Sequence, residues 1–520
     1  MTPTVCAVET DAPFSASAVT RVVNQLRAPT LKQTRQRWLE QVAHRVVSAR
    51  PDLAPALVEV LGVHPTAKDD LAGLTIGEIG VCYEALLASL DRGRRRRAGQ
   101  FFTPDDAAAF MASHAHEFPL GTWLDPCCGV GNLSWHLAAV QEDPAAFVRD
   151  HLILIDRDEV ALKTAVAIIS ADYISPGDVD AVYRLWQRSL VRDFLTRKAL
   201  PRFDFAILNP PYARAPNKTG YRTASTRDFF AYFLERIVGE SEGFISVTPA
   251  SFLSIPKHQP LRDCLEEGVS GGDVYVFDNV PDTLFRGYKF GSANTSRTNF
   301  VRAAITVSSP TKTTWRTTPI LRWTTASRQR MFAHAHTLLS PRVIGPHGEW
   351  GKLPANLTPL WRRLQTAPTT VGDLLAAEAT PYPLTVATTP RYFISAAFRP
   401  LQRSSKTVLH FNTESDQHRA AIVLNSSLPY LWWRVLDGGV SLPQRVLMSV
   451  PLPDFQHDRQ PLINALKESE NTNLVTKLNA GKITENIKHS QALVQRLNEV
   501  VIPESSEYLA MVYSQDMFSA

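Results

Sequence analysis

Leu124-Asp125-Pro126-Cys127-Cys128-Gly129-Val130-Gly131-Asn132-Leu133 reads as the end of a strand, a tight turn and the start of a helix. Two glycines separated by one residue let a chain turn sharply and let a ligand approach its backbone. Working outward, short apolar runs recur at 122–124, 152–155, 205–208, 243–247, 274–277 and 300–307, with helical stretches between them. That alternation predicts an α/β unit built on a Rossmann-like, doubly wound parallel sheet. Ligands of such sheets bind beyond the carboxyl ends of the strands, and the chemistry-bearing residues of this chain follow those ends.

Asp156 terminates the run 152–155, where a carboxylate can accept both hydroxyls of a ribose. The usual dinucleotide fingerprint lacks an acid at the position of Asp125. That extra carboxylate suits a cation, such as the ammonium of S-adenosylmethionine. The bland alternative is an ordinary strand-turn-helix joint with a capping Asp. Asp193-Phe194, after the apolar-rich stretch 186–191, a further candidate strand, offers an acid for an adenine amino group and a ring to pack on the base. Asp193 could equally cap a following helix.

Phe203-Asp204-Phe205-Ala206-Ile207-Leu208 is a strong strand, ended abruptly by Asn209-Pro210-Pro211-Tyr212. Two successive prolines remove two backbone donors and stiffen the loop. The Pro210 carbonyl and the Asn209 amide oxygen are then two acceptors free to face a substrate. An exocyclic amine on an aromatic base is a poor nucleophile because its lone pair is delocalised. Two acceptors aimed at its protons favour a localised lone pair, so catalysis rests on positioning and electrostatics. Tyr212 supplies a face on which a base can stack, and a duplex base reaches such a pocket only by flipping out. Taken alone, the tetrapeptide is also a tight turn closing a strand.

The chain has 520 residues, enough for two or three cores, with 44% hydrophobic and 20% charged residues, a globular balance. No apolar run is long enough to span a membrane, and 1–11 lacks the pattern of a signal peptide. Five scattered cysteines support neither a disulfide framework nor a metal site, and reduced thiols are expected. The net charge of +5 is modest, but 311–363 holds nine Lys or Arg against the single acid Glu349, interleaved with Trp315, Trp323, Trp350 and Trp361. Such a stretch is either a phosphate-binding surface with stacking aromatics or a solvated rim around a Trp-containing core. Arg214, Lys218, Arg222 and Arg227 form a basic, flexible segment after Tyr212, either a phosphate clamp or a solvated loop. Residues before about Ser89 are expected to be helical, and 463–497 to form a terminal helical pair.

With these motifs in this order, the chain from about Ile76 resembles the gamma class of amino-methyltransferases, specifically the adenine-N6 DNA methyltransferases of restriction-modification systems. Ile76-Gly77-Glu78-Ile79, Tyr83-Glu84 and Gly99-Gln100-Phe101-Phe102-Thr103-Pro104 resemble that family's opening segment, which implies cofactor contacts for Phe102 and Thr103. Asp125, Pro126, Gly129 and Gly131 fall on its glycine motif, Asp156 on its ribose acid, and Asp193 with Phe194 on its adenine-side motif. Asn209 to Tyr212 match its catalytic tetrapeptide, implying catalytic roles for Asn209, Pro210 and Tyr212. A later aromatic of the family stacks on the flipped base's other face, for which Phe285 is the candidate. Asn425-Ser426-Ser427-Leu428 with Tyr430, Trp432 and Trp433, and the stretch 390–395, resemble segments of its target-recognition domain.

The resemblance implies a class I S-adenosylmethionine-dependent methyltransferase sheet at 99–308, a helical N-terminal segment at 1–98, and an α+β target-recognition domain with C-terminal helices at 309–520. It implies S-adenosylmethionine as cofactor, no metal, double-stranded DNA as partner, a separate restriction endonuclease for cleavage, and a cytoplasmic place. The same tetrapeptide serves methylation of release-factor glutamine and of RNA guanine, and a non-catalytic DNA-binding subunit on this fold is a further alternative. Cytosine-N4 enzymes more often carry Ser in place of Asn209.

Overall fold

The computed structural model describes residues 16–90, 103–196, 198–285, 302–390, 392–455, 458–479, 481–503 and 509–519. The chain divides into two compact units, one comprising Met1–Pro249, Asp263–Gly272 and Thr283–Thr313, the other Ala250–Arg262, Asp273–Asp282 and Thr314–Ala520. The first seven strands in chain order are β1 (Trp123–Asp125), β2 (Leu152–Asp156), β3 (Leu190–Val191), β4 (Phe205–Leu208), β5 (Gly243–Pro249), β6 (Gly272–Phe277) and β7 (Ala303–Ser308).

Within the first unit the strand order is β3-β2-β1-β4-β5-β7. Neighbours from β3 to β5 are parallel, and β7 runs antiparallel to β5, pairing Phe244 with Ser308 and Pro249 with Ala303. Every residue of β2, β4 and β7 is buried. A parallel sheet covered on both faces demands such unbroken apolar runs, which is why they read so clearly in the sequence.

Helices α1 (Ala16–Leu26), α2 (Leu31–Ala49), α3 (Ala54–Leu61), α4 (Ile76–Leu90), α5 (Asp105–Ser113), α6 (Asn132–Ala139), α7 (Glu159–Tyr173), α8 (Val179–Arg188) and α9 (Phe229–Glu240) belong to the same unit. Pro55 sits in the first turn of α3, where it removes no helical bond. Trp38 of α2 is fully buried and donates from Nε1 to Thr164 Oγ1 of α7 at 3.0 Å. Arg35 of α2 pairs with Asp158, the N-cap of α7, at 2.7 Å. The amphipathic N-terminal helices thus bury their apolar stripe against the sheet's own helices.

Two expectations change. The apolar stretch 186–191 is mostly the end of α8, with only Leu190–Val191 extended. Asp178 caps that helix, and Ala181, Val182 and Leu185 bury at helical spacing, which outweighs the apolar run. The stretch 463–497 holds a helix (Gln460–Thr472), a hairpin (Leu474–Asn479 with Lys482–Ile487) and a second helix (Gln491–Val501). Gly481, at φ +77°, takes a left-handed conformation that tight hairpin connections favour and a helix does not accommodate.

In the second unit the four tryptophans of 311–363 are core residues, each at most 9% exposed. Trp361 stacks on Trp432 with centroids 4.5 Å apart. The nearby cations are largely spent internally: Arg316 pairs with Asp273, and Arg322 joins Arg434 on the buried Asp278. The Trp-containing core, not a stacking platform, is what this pattern encodes. Asn425 explains its own neighbourhood. Its amide accepts from Ala396 N and donates to Ala396 O, both at 2.9 Å, joining the strand Ala396–Ala397 to the end of helix Glu414–Leu424. Arg391 lies outside the described residues. Among the described residues no helix is long and apolar enough to cross a membrane.

Candidate active site

The carboxyl ends of β1, β2 and β4 open onto one cavity of about 210 Å³ in the first unit. Its wall brings together Thr103, Asp125, Pro126, Gly129, Asp156, Asp193, Phe194 and Asn209. Phe102 lies outside the described residues.

The turn after β1 is held by the strand beside it. Cys128 N donates to Ile155 O at 3.0 Å, and Gly129 N donates to Asp156 Oδ2 at 2.8 Å. Gly129 (φ +55°) and Gly131 (φ +93°) both occupy the left-handed region. A Cβ on Gly129 would meet open space, whereas one on Gly131 would lie 2.9 Å from Ala165 Cβ of α7. The two glycines therefore differ: Gly129 leaves the backbone uncovered at the cavity, and Gly131 lets α7 approach.

Asp125 is 1% exposed. Its carboxylate accepts from Ser134 Oγ at 2.9 Å and Cys127 N at 3.2 Å. Burial nevertheless lifts its carboxyl to about 7. Burial also raises Asp156, against the hydrogen bonds it accepts from Gly129 and Asp158 backbone amides. Two desolvated acids facing one cavity make a site that favours a cation. Asp193 stands exposed at the rim, its Oδ1 accepting from Leu195 N at 2.9 Å, so its local partner is a turn and not a helix. Phe194 is buried against Phe233 of α9, at 5.0 Å between centroids, and under the guanidinium of Arg236.

Asn209 follows β4 directly. Its Nδ2 donates to Thr103 Oγ1 at 2.9 Å, and its backbone carbonyl accepts from Cys127 Sγ at 3.4 Å. Burial pushes the Cys127 thiol well up, so it stays protonated and able to donate. Pro210 is buried. Tyr212 is half-buried, its hydroxyl donating to Val247 O of β5 at 3.1 Å. Phe285 meets Tyr212 edge-on, with centroids 5.9 Å apart and planes at 70°. The two aromatics expected to frame a base are here in contact with each other.

The basic segment after Tyr212 is pinned, contrary to the flexible loop expected. Glu235 of α9 accepts from Arg222 N, Thr223 N and Thr223 Oγ1 at 2.8, 2.8 and 2.7 Å. Tyr232 Oη reaches the carbonyls of Pro216 and Ala224. Arg214 and Arg227 are exposed, and Arg227 holds a left-handed φ of +51°. Arg222 pairs with Glu267 at 2.6 Å, and Lys218 Nζ lies 3.5 Å from Leu195 O.

One wall of the cavity carries residues that the sequence did not single out as site residues. Gly80, Tyr83, Glu84 and Leu87 of α4 line it. Their spacing puts all four on one helix face, and a face carrying Gly, Tyr and Glu was the available signal. Asp158 lines the wall too, with Tyr83 Oη donating to it at 3.1 Å.

Residues 75–232 match the model of the N-6 DNA Methylase family. The Type II methyltransferase M.BsuBI of Bacillus subtilis is 26% identical over 197 residues, covering 35% of this chain and 39% of that protein. Among solved structures, the chain is similar to a type I restriction-modification system methyltransferase subunit from Streptococcus thermophilus, with 15% identity and a TM-score of 0.35 over 62% of this chain and 74% of that one. It is also similar to the DrdV-DNA complex, with 11% identity and a TM-score of 0.43 over 92% of this chain and 56% of that one.

Proposed function

We propose that this chain is a site-specific DNA methyltransferase that moves a methyl group from S-adenosylmethionine to N6 of a flipped adenine in duplex DNA. One observation carries the reading: Asn209, ending β4, lines the same cavity as Asp125 and Asp156, inside the segment that matches the N-6 DNA Methylase family. The cavity's chemistry fits the cofactor. The burial penalty on Asp125 is one that an ammonium group relieves, and Asp156 offers a carboxylate at the strand tip where ribose hydroxyls are held. Bound there, S-adenosylmethionine supplies an electrophilic methyl group.

The residues of this chain do the rest. Pro126, Gly129, Asp193 and Phe194 enclose the nucleoside end of the cavity. The Asn209 amide oxygen and the Pro210 carbonyl accept the two protons of the adenine amine, leaving its lone pair localised toward the methyl. Tyr212 carries the base on its face, with Phe285 on the other side once the two rings part. Arg214, Lys218, Arg222 and Arg227 hold phosphates beside the flipped nucleotide, Arg222 by exchanging Glu267 for a phosphate. Residues 309–520 read the target sequence, 99–308 carry out transfer, and 1–98 close the cofactor side. A separate endonuclease performs any cleavage, and the protein works in the cytoplasm beside its DNA.

The test is transfer from labelled S-adenosylmethionine to duplex DNA, with RNA and a release factor as parallel substrates, followed by identification of the product. N6-methyladenine is expected, and Asn209→Ala is expected to abolish it while cofactor binding persists. Label in RNA or glutamine and none in DNA would overturn the reading.

A further inference from the structure

An Asn side chain presents an oxygen and an NH2 group of nearly equal shape, and a half-turn about its last bond exchanges them. Only the oxygen can accept a proton from an amine. A transfer site built on Asn209 therefore needs something that fixes which end of the amide faces the substrate, and neither the stiff Pro-Pro sequence nor the strand before it does so, because both act on the backbone.

The partner of Asn209 Nδ2 is Thr103 Oγ1, at 2.9 Å. Thr103 is itself fixed. It is 4% exposed, and its carbonyl accepts from Asn132 Nδ2, at the start of α6, at 2.7 Å. Pro104 follows it and lies ahead of α5, so its backbone is restricted on the C-terminal side as well. From this geometry we infer that Thr103 is a positioning residue: its hydroxyl holds the Asn209 amide nitrogen and so turns the amide oxygen to the substrate amine. The inference rests on the methyltransfer reading above. It assigns Thr103 to the target-base side of the chemistry, in addition to its place on the cofactor wall.

The chain Asn132–Thr103–Asn209 then links three parts of the fold: α6 after the glycine turn, the segment before α5, and the end of β4. One link runs from the Asn132 amide to the Thr103 backbone carbonyl, the other from the Asn209 amide to the Thr103 hydroxyl. Such a chain costs little to hold once folded and removes the rotational freedom of the acceptor before the substrate arrives.

The experiment compares wild type, Thr103→Val and Thr103→Ser. Val keeps the shape and β-branching while deleting the acceptor oxygen; Ser keeps the oxygen. Single-turnover methyl transfer to DNA is measured beside cofactor binding by calorimetry and thermal midpoint. Thr103→Val is expected to lower the transfer rate by about tenfold, with cofactor affinity and midpoint close to wild type, and Thr103→Ser to restore most of the rate. Weakened cofactor binding with an unchanged single-turnover rate would overturn the inference and return Thr103 to the cofactor alone. An unchanged rate in Thr103→Val would overturn it too. Absence of transfer by the wild type would sink the methyltransfer reading itself, a result distinct from either.

Discussion

Lowering the pH from 7.5 to 5.5 is expected to weaken binding of S-adenosylhomocysteine by about twentyfold, and Asp125→Asn is expected to remove most of that dependence. The product is the better probe because its thioether is uncharged, so the ammonium is its one cation in this window. Burial holds the Asp125 carboxyl near 7, even with Ser134 and Cys127 N donating to it. About three quarters of it is ionised at pH 7.5 and roughly 3% at pH 5.5. An ammonium pairs with the ionised form, so the loss in affinity follows the ionised fraction and approaches about tenfold, or about 1.4 kcal/mol, per pH unit well below 7. The stability of the free protein moves the opposite way. A carboxyl whose pKa rises on folding stabilises the fold below its unfolded value near 4, and that contribution is lost as pH rises toward 7. The ligand's ammonium offsets the loss, so the thermal shift at saturating ligand should grow from pH 5.5 to 7.5. Calorimetric titration of wild type and Asp125→Asn across the window decides the matter. A dissociation constant that stays within about twofold in the wild type would refute the reasoning. An equal slope in the variant would assign the effect to Asp156, whose carboxyl burial also raises.

Two further outcomes follow from packing and from a buried base. Gly131→Ala forces an L residue into φ +93° and drives its Cβ to 2.9 Å from Ala165 Cβ; a loss of about 2–4 kcal/mol is expected by denaturant unfolding. Gly129→Ala, with open space around its Cβ, should cost about 1 kcal/mol and act mainly on cofactor affinity. Lys352 is buried beside Ser254, with its amine lowered to about 7 by desolvation. The unfolded chain then binds more protons between pH 7 and 10.5, so stability should rise with pH there by up to about 1.4 kcal/mol per unit. Lys352→Met should flatten that slope in unfolding curves taken across the window, and an unaltered slope would show that Lys352 does not cause it.

What the sequence made legible was whatever depends on short-range regularity. The strands β1, β2 and β4 are runs with both faces covered, so they announce themselves without any knowledge of their neighbours. Asp125, Asp156 and Asn209 sit at the ends of those runs, and the rule that ligands meet strand ends placed them together. What failed depended on competition between local signals. Trp186 belongs to an apolar stretch that reads as a strand, but Asp178 starts a helix early enough to absorb it. The hairpin within 463–497 hides in helical composition, and one left-handed glycine decides it. The cations and tryptophans of 311–363 could be surface or core by composition alone; only the acids facing them, such as Asp273 and Asp278, settle which. The wall supplied by α4 showed only as one helix face carrying Gly80, Tyr83 and Glu84; that it meets the cavity from about forty positions upstream is a tertiary fact no local pattern spans.

The aromatic pair bears on where the energy for base capture comes from. A base stacked on both faces needs its two flanking rings about 7 Å apart and nearly parallel. Tyr212 and Phe285 stand at 5.9 Å and 70°, already touching. Tyr212 is tied to β5 through its hydroxyl, so in the proposed reading it is the fixed platform. On that reading Phe285 has to leave the edge of Tyr212 for a base to enter. The stacking gained with the base is then partly offset by the aromatic contact given up. A flipped adenine must also leave its own stack, at a few kcal/mol. The surplus has to come from groups that gain on binding without losing a partner first. In the proposed reading the exposed Arg214 and Arg227 meet phosphates from solvent, whereas Arg222 exchanges one carboxylate for a phosphate. On the proposed reading, hydrogen bonding to the base and charge on its flanks therefore have to make up what stacking gives away.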